Sequence, residues 1–346
     1  MPRRRLLFLV LGLLLVVLIV AGFFYWRASR KQYNCPPLCI SQNFSGRSLK
    51  NANLAGAMLM DANLTKADMV RADLTGANLT GAIMAQTNLE SADLTNARLV
   101  GVDLSRANLR NTIMEKVDLS GANLQGAALT RVHLETTRLR GAIFQGAILI
   151  GTVLDGVQLS GVEMSGANLS GASLVNTNMN GSVLSLSDFS GASMHQVTIA
   201  GSWINLVTLV GADLSDSNLS ASTFLGTDLT GANLQNAKLN GANLVGANLS
   251  GSDLRGADLT GAILVLPSPP GSSSFSYNAL TGADLLAALN TTAMSKVMAD
   301  SRISDLTEVR LKPLLKDTVL QGVLYNQNTR WPVNFPIPSS AILKDQ

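Results

Sequence analysis

Ala232-Asn233-Leu234-Gln235-Asn236 and Ala247-Asn248-Leu249-Ser250-Gly251 display the unit from which most of this chain is built: a small residue, Asn or Asp, Leu, a turn residue, then Gly or Asn. From Phe44 to Leu264 an apolar residue stands at every fifth position, through Leu49, Met69, Phe144, Phe189 and Ile204, for 45 consecutive units. Two residues ahead of each centre lies a small one, such as Ala52, Thr87, Val102, Ser187 or Ala262. Only Gln42 and Arg47, in the first two units, depart from that rule.

A period of five matches neither the 3.6 of a helix nor the 2.0 of a strand, so no single regular element can present all these centres on one face. The chain must turn a corner in each pentad. Four short sides then close a square coil of twenty residues, with the Leu centre and the small residue before it pointing inward. Small residues suit the second inward position because the interior is narrow and close-packed. Gly, Asn, Asp and Ser crowd the corners, where turn dihedrals are needed and side chains bond their own backbone. At the strand spacing of about 4.8 Å, a little over eleven coils would be about 54 Å long.

These residues closely resemble the pentapeptide-repeat proteins, and the resemblance covers about two-thirds of the chain. It implies an all-β solenoid, a right-handed quadrilateral β-helix. The handedness comes from the family and not from the period. The family is functionally diverse, so the fold assigns no activity by itself.

The expected domains are 1–31, an N-terminal membrane anchor; 32–43, a cap with a cysteine pair; 44–265, the β-helix; 266–279, a linker; and 280–346, a C-terminal helix and cap. Leu6 to Trp26 carries no charge, follows Arg3, Arg4 and Arg5, and ends in the aromatic cluster Phe23 to Trp26. As a helix these 21 residues would span about 31 Å, one bilayer. A cleaved signal peptide with Val20-Ala21-Gly22 as its site is the competing reading. Side-chain charge is balanced across the run, and the amino terminus tips the orientation to the inside. The solenoid then lies outside the cytoplasm, in a periplasm or lumen. Cys35 and Cys39 are the only cysteines. The expectation is a disulfide between them, which an extracytoplasmic compartment allows; two unrelated thiols are the plainer alternative.

After Leu264 the period stops, and Leu266 to Ser274 reads as a linker. Thr281-Gly282-Ala283-Asp284 forms a capping box ahead of a helical run to Met298. Thr318 to Tyr325 then resumes the pentad spacing. The Tyr325-Asn326, Thr329, Trp331-Pro332 and Phe335 segment resembles one that ends many pentapeptide-repeat domains. Terminal units of solenoids need such caps.

Nothing here reads as catalytic, cofactor-binding or metal-binding. His133 and His195 both flank inward centres. Asp68, Asp73, Asp93, Asp103, Asp213 and Asp228 take the position where Asn is the alternative, which argues for a corner or surface role rather than acid and base work. No Gly-rich phosphate loop with a Lys and no Gly-x-Ser-x-Gly elbow is present, and the net charge of +3 points to no partner class.

The expected function is therefore that of a non-enzymatic, membrane-tethered scaffold that binds an unidentified protein partner on one side of the solenoid, with a homodimer as one form of that partnership. An alternative is a DNA-mimic regulator of a type II topoisomerase, which some family members resemble. It draws on the absence of Lys and Arg between Arg140 and Lys238, where six carboxylates lie. Duplex DNA over the ~23 Å of five coils carries about 14 charges, so six are too few. Direct nucleic-acid binding is not expected. A purely structural spacer is the third reading.

Residues twenty apart should stack on one side. One side then collects Val183, Leu186, Trp203, Leu206, Leu225, Val245, Ile263 and Val265 beside its centres, an apolar strip of the kind that is normally covered or binds something. The helix beginning near Gly282 could cover it, a partner or second copy could, or it could stay exposed.

Overall fold

Each pentad supplies one side of a coil, and four sides return the chain to its starting edge one layer further on. In a computed structural model, which describes residues 39–264, 323–325, 329, 331, 337 and 339–344, this appears as parallel bridges between residues twenty apart. The series runs from Asn43 with Asn63 to Asn243 with Ile263. Every side is so short that it contributes one bridged residue. The coils are thus held by isolated bridges rather than by extended strands.

One pentad shows how the backbone is satisfied. Ala72 N–H donates to the Met69 carbonyl across the corner (3.0 Å), while Leu74 and Gly76 donate to Asp93 and Thr95 in the next coil (2.8 Å each). Asp73 donates to Ala52 in the preceding coil (2.9 Å). The fifth donor, Thr75 N–H, cannot reach a carbonyl and is taken by the Asp73 carboxylate at 3.1 Å. That bond explains why Asn or Asp recurs one residue before the centre. Asn63, Asn78, Asp93, Asp103, Asp213 and Asp228 make the same contact at 2.9–3.1 Å, each satisfying a donor that would otherwise depend on water. The last residue of the pentad has a positive φ, and Gly fills that turn most often because it lacks a Cβ.

Inside, the centres from Leu49 onward are enclosed, including Phe144, Phe189 and Phe224, while Phe44 in the first coil is half-buried. Where the small inward residue is Thr or Ser, its hydroxyl mostly donates to a carbonyl twenty-three residues earlier, as Thr87 does to Leu64 at 2.9 Å and Thr177 to Leu154 at 2.9 Å, while Thr112 and Ser252 donate to the centre three residues before them at 2.6 Å. Hydroxyls are tolerated in the core because the coil spacing offers each a partner.

At the N-terminal edge Cys39 is buried, donates its N–H to Met58 at 2.8 Å, and is disulfide-bonded. At the other edge the chain resumes stacking with β1 (Leu324–Tyr325), where Leu324 bridges Asp258 in parallel. Strand β2 (Ile342–Leu343) pairs in parallel on β1. Thr329 Oγ1 donates to the Leu259 carbonyl (2.8 Å) and accepts from Gly261 N–H (3.2 Å). Tyr325 and Trp331 meet edge to face at 6.0 Å. Among the described residues no helix is long and apolar enough to cross a membrane. The run from Leu6 to Trp26, the linker and the helix expected near Gly282 lie outside those residues.

The inside and outside assignments are open to a direct check. Ala167 is enclosed, so Ala167→Arg places an unpaired charge in a narrow apolar interior and should cost several kcal/mol, on the order of the largest single-residue effects. Asn168 points outward, yet its Oδ1 accepts from Ser170 N–H at 3.0 Å. Asn168→Arg should therefore cost about 1 kcal/mol, the value of one hydrogen bond. Thermal melts of the two variants should separate widely; equal losses would refute the assignment.

Candidate functional site

The coil register places the residues of the apolar strip in three rows rather than one. Val183, Trp203 and Ile263 stand at the middle of their side and follow the bridge series Val183, Trp203, Thr223, Asn243, Ile263. Leu225 and Val245 occupy the first turn position after a centre, and Leu186 and Leu206 the second. Val265 lies outside the described residues. Val183, Leu186, Trp203, Leu206 and Ile263 are half-buried, as a surface ladder would be.

Leu225 and Val245 differ. They are 3% and 0% exposed although their turn position faces away from the interior, and they do not belong to the main core cluster. Ser185 and Asn205, forty and twenty residues before Leu225, are equally enclosed at 1% and 2%. On the other sides, residues at this position are mostly half-buried or exposed. Ser185 and Asn205 carried no sequence signal as strip members, because being polar they look like ordinary turn residues. Only the stacking beneath Leu225 and Val245 assigns them to the strip. Asn205 Oδ1 accepts from Leu225 N–H at 3.1 Å. Among the described residues, Ser185 Oγ and Thr223 Oγ1 on the same side are buried without a hydrogen-bond partner.

The backbone also singles out this side. Leu186 and Leu206 have φ of 66° and 56°, the left-handed region. Among the described residues they are the only branched apolar residues in that conformation; the other non-glycine occupants are Asn, Asp, Ser, Gln, Lys, Arg and Ala. A side chain there costs about 1–2 kcal/mol relative to Gly. Beneath the strip the inward residues are Ser182, Ser202 and Ser222, whose hydroxyls accept from one another's backbone, Ser182 N–H to Ser202 Oγ (3.1 Å) and Ser202 N–H to Ser222 Oγ (3.2 Å).

The remaining candidates are not brought together. His133 Nδ1 lies 3.1 Å from Glu135 on an exposed edge, and His195 Nδ1 lies 2.9 Å from Ser215 Oγ. Among the described residues no group of three or more His, Cys, Asp or Glu could hold a metal. The carboxylates of the cation-free stretch spread around the coil: Asp188 and Asp228 stack in one column, Asp213 in the next, and Glu163 beneath Val183 in a third.

The sequence pattern of the family of pentapeptide repeats matches eight times, over residues 43–76, 72–111, 97–135, 118–156, 127–171, 163–199, 207–236 and 227–264, more than half of the sequence. The chain belongs to the pentapeptide-repeat family. Among solved structures, this pentapeptide-repeat protein is similar to HetL, a pentapeptide repeat protein involved in heterocyst differentiation regulation from the cyanobacterium Nostoc sp. The identity is 28%, covering 72% of this chain and 98% of that one, with a TM-score of 0.25. It is similar as well to QnrB1, a plasmid-mediated fluoroquinolone resistance protein, at 15% identity over 65% of this chain and 83% of that one, TM-score 0.25. A pentapeptide repeat protein from the thylakoid lumen of Arabidopsis thaliana matches at 23% identity over 36% of this chain and 70% of that one, TM-score 0.13. No curated protein matches this chain.

In this pentapeptide-repeat protein the carboxylates whose titration is perturbed are held ionised. The Arg255 guanidinium, with Nη2 2.6 Å from Asp253 Oδ2, keeps that carboxyl below its ordinary range. For Asp258 the opposing effect of burial is outweighed by the Thr260 backbone and hydroxyl donors and by Lys344, whose Nζ is 3.5 Å away. Depressed folded values mean that the stability these groups contribute is present above the ordinary carboxylate value of about 3.9 and is lost as pH falls through the lower folded values. The C-terminal coils should therefore loosen only below about pH 4. Arg255→Ala should return the Asp253 titration, followed by NMR, toward the ordinary value; an unchanged midpoint would remove Arg255 as the cause.

Proposed function

We propose that this protein is a non-enzymatic scaffold, tethered to a membrane by Leu6 to Trp26, that engages a protein partner along the half-buried end of the apolar strip formed by Val183, Leu186, Trp203 and Leu206. The observation that carries this reading is the pair Leu186 and Leu206, each kept in a left-handed turn where Gly would be unstrained. Strain of this kind persists where it serves a purpose other than stability. The enclosed end of the strip, at Leu225 and Val245, supplies a rigid apolar floor, and Trp203 a large amphipathic anchor of the type that dominates interfaces.

The finer parts of the reading belong together. The quadrilateral coil is taken as right-handed, as in the family. The tether places it on the extracytoplasmic side, in a periplasm or lumen, where a Cys35–Cys39 bridge would close the first coil. The topoisomerase-mimic alternative loses support because its six carboxylates do not line a single side.

Two measurements test the proposal. Reporter fusions after Gln346, one active only in the cytoplasm and one only outside, should give activity of the outside reporter; the reverse would remove the topology. A photoreactive side chain at Trp203 in the full chain should form adducts with another polypeptide, while one at the exposed Ile83 on the same side of earlier coils should not. Leu206→Gly should abolish the Trp203 adduct while leaving the melting temperature nearly unchanged, since relief of about 1–2 kcal/mol of backbone strain offsets the lost contacts. An adduct that survives this variant, or that forms equally at Ile83, would defeat the assignment of the strip. An adduct between two copies would identify the partner as a second copy of this chain.

A further inference from the structure

A different side of the coil segregates charge. On the side whose centres are Leu49, Met69, Leu89, Leu109 and Leu129, the outward positions and the two bounding corners hold Lys50, Lys66, Arg71, Arg106, Arg110 and Arg131, all exposed, with Lys66 and Arg106 at the corner shared with the side that bears the apolar strip further along. Against these six cations stand two carboxylates, Asp68 and Glu90. Lys50 pairs with Asp68 at 3.0 Å, and among the described residues that is the only ion pair on this side. The neighbouring side, with centres Leu54 to Leu134, carries Asp73, Asp93, Glu115 and Glu135 against Lys116 at its own positions, and it shares the corner of Arg71 and Arg131 with the basic side. Such separation between adjacent sides of one coil does not follow from a net charge of +3.

The backbone marks the same residues. Lys66, Arg71, Arg106 and Arg131 have φ of 57°, 56°, 56° and 59°, so four of the six cations occupy the strained turn that Gly most often fills. Two of them run along the stack. The Cγ of Arg106 is 3.4 Å from where a Cβ on Gly126 would sit, and that of Arg131 3.7 Å from the corresponding position on Gly151. Glycine in the following coil leaves the stems of both arginines room to lie along the surface.

We propose that this side is a docking face for an anionic phospholipid bilayer. Four coil steps separate Lys50 from Arg131, so the cations cover about 19 Å along the axis at strand spacing. The choice of a bilayer rests on the membrane tether of the proposed function. The apolar run ends at Trp26, and the thirteen residues from there to Cys39 can reach at most about 45 Å. The cationic coils are thus the ones nearest the membrane. The coils between Arg140 and Lys238, which hold no cation, are further along the axis. Each Lys or Arg held near an anionic surface strengthens partitioning by about fivefold, an effect that salt screens over roughly 8 Å.

The full chain reconstituted into lipid nanodiscs provides the test, with an environment-sensitive fluorophore at Ala128→Cys on this side or at Ser120→Cys on the opposite one, and brominated lipid as quencher. Quenching at Ala128→Cys should be several-fold stronger in discs containing phosphatidylglycerol than in phosphatidylcholine alone. High salt should abolish the difference, as should the combined Arg71→Gln, Arg106→Gln, Arg110→Gln and Arg131→Gln variant, whose circular dichroism should match the parent. Ser120→Cys should show no lipid dependence. Equal quenching at both positions, or lipid dependence that survives the glutamine variant, overturns the proposal. Arginine-dependent binding of duplex DNA without phosphatidylglycerol dependence overturns it in favour of a nucleic-acid face. Loss of the tether is read separately, as failure to incorporate into phosphatidylcholine discs. Added phosphatidylglycerol vesicles must then quench Ala128→Cys selectively for the lipid face to stand.

Discussion

Everything in this molecule depends on the hydrogen bonds that pass from each coil to the next, because a side of one bridged residue has no stability of its own. Leu74 N–H to Asp93 and Asp73 N–H to Ala52 tie a pentad to the layers after and before it. Only the stacking of many identical layers turns such short sides into a structure, so stability is shared among neighbours and the ends must be closed. Cys39 in its disulfide at one edge and β1 with β2 at the other meet that need.

The same repetition separates structural from functional residues. Beyond the first two pentads, inward positions hold only centres and small residues, and the hydroxyls among them find carbonyls in the adjacent layer or at the preceding centre. The residue before the centre is largely committed to capping a turn amide, which leaves Asp and Asn there little chemical freedom. Variation is cheap at the corners and at those mid-side positions, such as Val183, Trp203 and Ile263, that do not carry an Asn or Asp cap, and any surface this protein offers a partner must be written there. Where corners carry Leu186, Leu206, Lys66, Arg71, Arg106 or Arg131 in a left-handed turn, the sequence departs from the choice that stability alone favours.

Two surfaces result, on adjacent sides of the coil and at different heights. The apolar strip belongs to the coils from Val183 onward, and the cationic side to those before Gly141. On the proposed reading of a tethered scaffold, a basic side in the early coils and an apolar ladder further along would hold a partner at a set distance from a membrane. Because coils stack with a fixed rise, that distance is determined by the number of pentads.

The pentad period alone identifies the twenty-residue coil, the inward residues and the stacking of positions twenty apart, since five-residue spacing over 45 units leaves the backbone no other regular solution. It therefore placed Val183, Trp203 and Ile263 on one side. Other properties were not legible in the string. That Asp73 and its equivalents cap a turn amide depends on the corner geometry, and that Leu225, Val245, Ser185 and Asn205 are enclosed depends on packing around a turn position that looks exposed in sequence. The strain at Leu186 and Leu206 is likewise a property of φ, which side-chain identity does not reveal. A local period can specify which residues face inward; burial of outward residues and backbone strain arise from contacts and closure, which only the assembled coil decides.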